Sequence, residues 1–287
     1  MDIRVGFHVS IAGGISNSVK NAEKLGCTAF QVFTRNPRSW AAKPLPQPEV
    51  ELFKSRLSAS GIEKTSVVVH MPYLPNLSGP QGESYAKSVK TLTEEIQRCK
   101  ALGISYLVIH LGSHMGRGSN NGIDQLINAI TTATNARSKS ASPVVVLLEN
   151  NAGQKNSIGG TLEELRLILD RLDSSKQFGI CIDTCHLFSS GYDLRTKEDV
   201  DKTLEKFNDI VGLEELKVVH LNDAKGGLGS NLDRHEHIGL GSIGIEGMAA
   251  FLDNPQIRTL PIIMETPIDT RRGDEENLKV ALDLLRH

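Results

Sequence analysis

Six short apolar runs in this chain each end on a histidine or a carboxylate. Ser66-Val67-Val68-Val69 runs into His70, Tyr106-Leu107-Val108-Ile109 into His110, and the run from Pro143 to Leu148 into Glu149. Phe178 to Ile182 runs into Asp183, Leu216 to Val219 into His220, and Pro261 to Met264 into Glu265. Each run has the length of a buried parallel strand, and each terminal residue can ligate a divalent cation. A single histidine in such a place is usually a structural or hydrogen-bonding residue. Six ligand types at the same point of six successive units are hard to explain by packing. The segments Asp183-Thr184-Cys185-His186 and Asp233-Arg234-His235 bring the candidates to nine: His70, His110, Glu149, Asp183, His186, His220, Asp233, His235 and Glu265. Asp183 and His186 can reach neighbouring ions if the chain turns after the strand. Asp233 and His235 alternate on an extended loop and can grip one ion together. Histidine and carboxylate without thiolate suit zinc, manganese or iron in a hydrolytic site. Nine ligands exceed what one tetrahedral ion uses; with one carboxylate bridging, they suit two or three.

The elements that must hold these residues alternate along the chain. Strands are expected near 3–9, 28–34, 66–71, 106–111, 143–149, 178–183, 216–222 and 261–266. Helices are expected near 15–25, 47–60, 83–102, 122–138, 161–172, 197–211, 244–253 and 275–286. Thr161-Leu162-Glu163-Glu164 has a capping-box pattern, and Gly26, Gly61 and Gly103 stand where a helix-ending glycine is favoured. Val89, Leu92, Ile96 and Cys99 make one apolar stripe on the third helix. Eight β-α units fit a closed (β/α)₈ TIM barrel, one α/β domain over residues 1–287. An open doubly wound sheet would place its ligand at a single crevice; ligand types on six successive strands favour closure round a central site. The loops 112–122, 150–160 and 223–243 are long and glycine-rich, and they follow strands, on the face that carries function in a barrel.

Composition narrows the field. Apolar residues make up 39% and aromatic residues 5% of 287, so the core is aliphatic. The formal charge of −2 gives no global positive field to advertise a nucleic acid. A local basic patch or bound cations can still supply one. Cys27, Cys99, Cys181 and Cys185 form no C-x-x-C pair, which fits a reducing compartment. Cys181 alternates with Asp183 and can share its face, but both it and Cys185 read better as small buried residues. No apolar run approaches the roughly 18 residues of a membrane span, and Met1-Asp2-Ile3-Arg4 starts on a strand rather than a signal peptide. The expectation is a soluble cytoplasmic monomer with no membrane association. His8, at the end of the first strand, either lines the pocket or packs in the core, with core packing the preferred reading, and His114 reads as a residue hydrogen-bonding a ligand.

The blocks round these residues are Gly6-Phe7-His8-Val9-Ser10-Ile11-Ala12-Gly13-Gly14, His110-Leu111-Gly112-Ser113-His114 and Leu148-Glu149-Asn150-Asn151-Ala152-Gly153-Gln154. Ile182-Asp183-Thr184-Cys185-His186, His220-Leu221-Asn222-Asp223, Asp233-Arg234-His235-Glu236-His237-Ile238-Gly239 and Met264-Glu265-Thr266-Pro267 follow. Together they resemble the endonuclease IV family of apurinic/apyrimidinic (AP) endonucleases over nearly the whole chain. The resemblance implies a barrel holding three Zn²⁺ ions, with Mn²⁺ an alternative at one position. His70 and His110 would hold the first ion, and Glu149 would bridge it to a second completed by Asp183, His220 and Glu265. His186, Asp233 and His235 would hold the third. It also implies hydrolysis of the phosphodiester 5′ to an abasic site in double-stranded DNA, with Glu149, Asp183 and Glu265 as catalytic carboxylates. The products would be 3′-hydroxyl and 5′-deoxyribose phosphate ends, and 3′ blocking groups would also be removed. Arg38, Tyr73 and Leu74 would enter the duplex from the minor groove and fill the gap left by the extruded nucleotide; apolar wedges unstack bases, and a site without its base is cheap to extrude. Leu111, Asn151 and Ala224 stand where the family usually has proline, threonine and serine, and none of these changes removes a ligand. Paired metals a few ångströms apart suit in-line phosphate displacement.

Two other classes fit a barrel with such a mouth. A metal-dependent sugar isomerase or epimerase also uses carboxylates and histidines there, and fold alone does not separate the two. The His186, Asp233 and His235 set argues against it, because two-metal sugar chemistry needs no third histidine-rich site. A non-catalytic DNA-damage binding protein is the other class, and an intact ligand set argues against that.

Overall fold

The computed structural model describes residues 3–135, 144–172 and 177–286. Met1, Asp2, the expected strand start at Pro143 and the expected helix tail at 136–138 lie outside the described residues. Ten strands and nine α-helices follow one another among the described residues. The strands are β1 (Val5–Phe7), β2 (Phe30–Val32), β3 (Val67–His70), β4 (Tyr106–His110), β5 (Val145–Glu149), β6 (Phe178–Asp183), β7 (Leu216–His220), β8 (Asp223–Ala224), β9 (His235–Glu236) and β10 (Ile262–Met264). The helices are α1 (Asn17–Leu25), α2 (Gln47–Ser60), α3 (Glu83–Leu102), α4 (Ser119–Asn135), α5 (Leu162–Arg171), α6 (Thr184–Ser189), α7 (Lys197–Ile210), α8 (Gly244–Asp253) and α9 (Asp274–Arg286).

Eight strands form one parallel sheet in the order β1-β10-β7-β6-β5-β4-β3-β2. Its two ends meet at a parallel bridge between His8 and Gln31, where the Val9 amide donates to the Gln31 carbonyl at 2.8 Å. The result is the expected TIM barrel. Its strands are buried on both faces, which is why they read as continuous valine, isoleucine and leucine. Val68, Val108, Leu147, Cys181, Val218 and Ile263, one from each of six strands, and Ala29, just ahead of β2, pack as a buried cluster of their own. Residues two apart on a strand face the same way. The layer above that cluster is therefore Gln31, His70, His110, Glu149, Asp183, His220 and Glu265. β1 completes both layers with Gly6 and, just beyond its end, His8. A Cβ on Gly6 would lie 1.9 Å from the Ala29 carbonyl oxygen, so nothing larger than glycine fits there.

Residues on the opposite strand face, such as Val67, Val69, Leu107, Ile109, Val146 and Leu148, join the helices in the larger core. Leu92, Ile96 and Cys99 of α3 are buried as their spacing predicts, with Val89 packed at the margin. Gly26, Gly61 and Gly103 take left-handed conformations, with φ of 79°, 75° and 75°. The capping box at Thr161 is half realised. Its hydroxyl accepts from the Glu164 amide at 3.2 Å, but the Glu164 carboxylate reaches past it to the amides of Gly159 and Gly160.

Three features depart from expectation. α4 begins at Ser119 rather than 122 because its first turn, Ser119-Asn120-Asn121, carries no apolar residue to extend the period. α6 follows β6 at once, capped by Asp183, whose Oδ1 accepts from the His186 amide at 2.9 Å. All six of its residues are buried, so it shows no amphipathic period. The loop expected over 223–243 contains an antiparallel ribbon of β8 and β9. None of the described helices is long and apolar enough to cross a membrane.

Replacing Gly6 by alanine should destabilise the barrel by about 1–3 kcal/mol, the usual cost of overfilling a packed interior. A urea unfolding curve measures this; a midpoint equal to the parent's would mean that the β1–β2 seam has slack.

Candidate metal centre

The upper interior layer gathers charge where apolar packing would otherwise continue. Glu149 is its centre. Oε2 lies 3.1 Å from His70 Nε2 and 3.2 Å from His110 Nε2. Oε1 lies 3.1 Å from His220 Nδ1 and 3.6 Å from His186 Nδ1. Strand register produces part of this directly, since His110 is the lateral partner of Glu149 and His220 that of Asp183. α6 swings His186 back over the barrel, where Nε2 sits 3.2 Å from Asp233 Oδ1. The β8–β9 ribbon brings in His235, whose Nε2 is 3.5 Å from Asp183 Oδ2 and 3.8 Å from Asp233 Oδ1. Glu265 Oε2 stands 3.6 Å from His220 Nδ1.

All nine candidate side chains therefore converge on one basin. Three overlapping groups have ligating atoms within 4.8 Å of one another: His70, His110 and Glu149; Glu149, Asp183 and His220; and Asp183, His186 and His235. Glu149 links the first two groups and Asp183 links the last two. Asp233 closes on the third group through its contacts with His186 and His235.

The outer ring nitrogens are anchored. His70 Nδ1 pairs with the Met71 carbonyl at 2.7 Å, His186 Nδ1 with that of Asn150 at 3.0 Å and His235 Nδ1 with that of Glu265 at 3.0 Å. A carbonyl only accepts, so each of these Nδ1 atoms carries the proton and turns a lone pair on Nε2 inward. Lone pairs facing carboxylates repel unless a proton or a cation lies between them. His235 Nε2 is buried and has no hydrogen-bond partner among the described residues. Two ligand atoms on one tetrahedral zinc ion stand about 3.3 Å apart, and the nitrogen–oxygen separations here bracket that value. The donor set fits divalent cations.

Burial alone would keep these imidazoles neutral and these carboxyl groups protonated. Mutual attraction overrules it. His186 is pushed up to about 10, against burial, by Asp183, Asp233 and Glu149. His220 is raised well above its ordinary value, again against burial, beside Cys181, Glu265 and Glu149. Glu149 is held well below the usual carboxylate range, against burial, by His110 and His220. His110, 42% of whose side chain is open to solvent, feels a more screened version of the same pull.

Several residues that hold the site stand outside the set of nine candidate ligands. Asn222 donates to Asp183 Oδ2 at 2.7 Å and accepts from the Glu265 amide at 2.8 Å. Asn150 accepts from the Asp183 amide at 2.7 Å. Gln31 contacts Glu265, His220 and His8. Of the two readings of His8, the pocket one holds over the preferred core one: Nδ1 lies 3.3 Å from Glu265 Oε1, and the ring packs on Phe33 at the edge of the basin. The closed barrel sets β1 beside β10, and that brings His8 to the carboxylate. His114 does not touch the cluster; its Nδ1 accepts from the Gly118 amide ahead of α4. Cys181 and Cys185 are buried free thiols, as expected.

The expected DNA-contacting residues lie on the same face. Tyr73 and Leu74 are exposed at the tip of the loop after β3, at 54% and 39%. The Tyr73 ring stands 6.2 Å from that of His110 and 5.0 Å from that of Phe33. Arg38 is exposed on the loop after β2, and the Tyr73 amide donates to the Pro37 carbonyl, tying the two loops together.

Residues 19–287 match the xylose isomerase-like TIM barrel family. Probable endonuclease 4 of Nitrosopumilus maritimus is 50% identical to this chain, the alignment covering 97% of it and 99% of the relative. Probable endonuclease 4 of Cenarchaeum symbiosum is 51% identical, with coverage of 97% and 98%. The crystal structure of endonuclease IV from Thermus thermophilus superposes with a TM-score of 0.87 at 37% identity, over 99% of each chain. A D-tagatose 3-epimerase-like protein, 19% identical with a TM-score of 0.70, shares the fold.

Metal uptake should release protons. His186 holds its proton up to about pH 10, and a ligand must lose its proton before it binds a cation. Affinity should therefore climb as pH rises towards that value. Calorimetric titration of zinc into chelator-stripped protein, in two buffers of different ionisation enthalpy, counts the protons. Uptake without proton release, with affinity independent of pH, would contradict the proton-held arrangement.

Proposed function

Because this chain belongs to the endonuclease IV family of xylose isomerase-like TIM barrels, we propose that it is a DNA-repair endonuclease acting on abasic sites in double-stranded DNA. It hydrolyses the phosphodiester 5′ to the lesion, leaves 3′-hydroxyl and 5′-deoxyribose phosphate ends, and also clears 3′ blocking groups. The observation that carries this reading is the run of three ligand groups joined through Glu149 and Asp183. Three zinc ions per chain suit it, with manganese an alternative at one position. His70, His110 and Glu149 would hold the first ion, Glu149, Asp183, His220 and Glu265 the second, and His186, Asp233 and His235 the third. Ions held there supply Lewis acidity to a phosphoryl group and a bound water acidic enough to ionise near neutral pH.

The chain's own residues do the rest. Glu149 offers one oxygen to each of two neighbouring groups and so fixes their spacing. Asp183 and Glu265 are locked in place by Asn222 and Gln31, which leaves their free lone pairs for the cations. Burial and the neighbouring carboxylates push the Tyr73 phenol up to about 12, so it stays uncharged and can serve as a stacking wedge with Leu74. Arg38, Arg117, Lys155, Lys225 and Arg234 are exposed on loops that follow strands, and none forms an ion pair among the described residues. That rim gives a chain of net charge −2 a local face for phosphates. The whole chain acts as one barrel domain, a cytoplasmic monomer whose partner is duplex DNA.

A sugar epimerase reading has the fold in common, but a group built on His186 and His235 is surplus to it. A non-catalytic DNA-damage binder would have no use for the buried ligand set. Purified protein should nick a duplex carrying one abasic site, lose that activity to a chelator, and regain it with zinc. Glu149→Gln should keep the fold and lower turnover by several orders of magnitude, since it unties two groups at once. Retention of abasic duplex without nicking would favour a binder, and neither nicking nor retention would point to the epimerase reading.

Tyr73→Ala and Leu74→Ala leave every ligand in place, so their metal content should match the parent's. Affinity for abasic duplex should fall by about 1–3 kcal/mol per lost stacking contact, and abasic single strands should be affected less. Wild-type binding by both variants in a fluorescence assay would move the wedge elsewhere, first to Arg38.

A further inference from the structure

Of the eight side chains in the upper interior layer, only that of Gln31 cannot titrate. It is fully buried. Its Nε2 donates to Glu265 Oε1 at 2.8 Å and lies 3.0 Å from His8 Nδ1, and its Oε1 lies 2.9 Å from His220 Nε2. The chemistry of the partners settles which way the amide faces. A carboxylate only accepts, so the nitrogen must point at Glu265. The oxygen then points at His220, whose Nε2 must carry a proton to meet it.

His220 differs here from three other histidines of the cluster. His70, His186 and His235 are each fixed through Nδ1 by a main-chain carbonyl and face inward through Nε2. His220 faces inward through Nδ1, 3.1 Å from Glu149 Oε1 and 3.6 Å from Glu265 Oε2, and its outer nitrogen rests on a side chain. A main-chain carbonyl survives any substitution; an amide side chain does not. We infer that Gln31 is a positioning residue for one cation: it locks His220 in the Nε2–H tautomer and draws Glu265 Oε1 aside, so that His220 Nδ1 and Glu265 Oε2 are presented together. The inference rests on the metal reading given above. Gln31 touches no reacting atom, and its effect passes through His220 and Glu265.

The test is a comparison of Gln31→Leu and Gln31→Glu with the parent in zinc-loaded protein. The leucine removes both hydrogen-bonding functions at similar volume. The glutamate keeps the acceptor for His220 but cannot donate to Glu265. Long-range proton–nitrogen spectra of histidine-labelled protein report which ring nitrogen of His220 carries hydrogen, and competition with a calibrated chelator reports each ion's affinity. In Gln31→Leu, one ion per chain should be held about 10- to 100-fold more weakly, the usual cost of losing a partner behind a ligand. The remaining ions should be unchanged, and the His220 Nε2–H signal, no longer hydrogen-bonded, should broaden through exchange with water. Gln31→Glu should keep that signal and still loosen the same ion, through Glu265. A packing role alone would lower thermal stability without singling out one ion. Should the leucine variant fail to fold, the glutamate variant alone decides, and parental affinity in it overturns the inference. Parental affinities and an unchanged His220 spectrum in Gln31→Leu overturn it as well. A parent that takes up no divalent ion overturns the metal reading first and this inference with it.

Discussion

Both oxygens of Glu149 are committed to imidazoles, and the carboxylate is almost wholly buried. A carboxylate taken from water costs several kcal/mol unless partners compensate, so this side chain is tolerable only in the finished barrel. The partners come from β3, β4, β7 and α6, elements far apart in sequence, and strand register delivers them. His110 lies opposite Glu149 and His220 opposite Asp183. A slip of one residue in either ladder would turn the charged side chain into the helix layer and an aliphatic one into the basin. The unbroken valine and leucine runs below guard against that slip, because their alternate members fill the lower layer.

The loops above the barrel are stitched to one another before any ligand arrives. Asn76, after β3, bonds the main chain of Ser113, after β4, in both directions. Ser113 forms a bridge with Ser157, after β5, and the His114 amide donates to the Asn156 carbonyl. Asn231, in the loop between β8 and β9, donates to the Ala152 carbonyl. Asp223 gathers the amides of Ala224, Gly241, Ile243 and Gly244 and folds the following loop back on itself. On the far side, Arg35 and Thr34 bind the fully buried Glu95 of α3, which anchors the loop carrying Arg38. Such a face has little left to order when it meets a substrate, and the ordering cost of association falls accordingly.

Much of this was legible before any coordinates. Period two along a strand and the abrupt end of each apolar run place His70, His110, Glu149, Asp183, His220 and Glu265 on one layer, and eight repeats close the ring. What stayed hidden was held by groups with no chemistry of their own. Gln31 and Asn222 look like ordinary polar residues near strand ends, and only ring closure sets them against His220 and Asp183. His8 read as core because a lone histidine after β1 has nothing beside it in sequence; β10, its neighbour in space, lies at the other end of the chain. α6 was invisible because a helix buried on every side has no polar face to give a period.

The seam between β1 and β2 ties closure of the ring to the order of the basin inside it. The main chain of Gln31 receives the Val9 amide and fastens the last gap in the ring, while its side chain spans the interior to His220 and Glu265. One residue is thus both clasp and spoke. With the ring open, Glu265 and His220 lack the one side chain that joins them. A cation position that draws on both side chains is therefore complete only once the ring is closed.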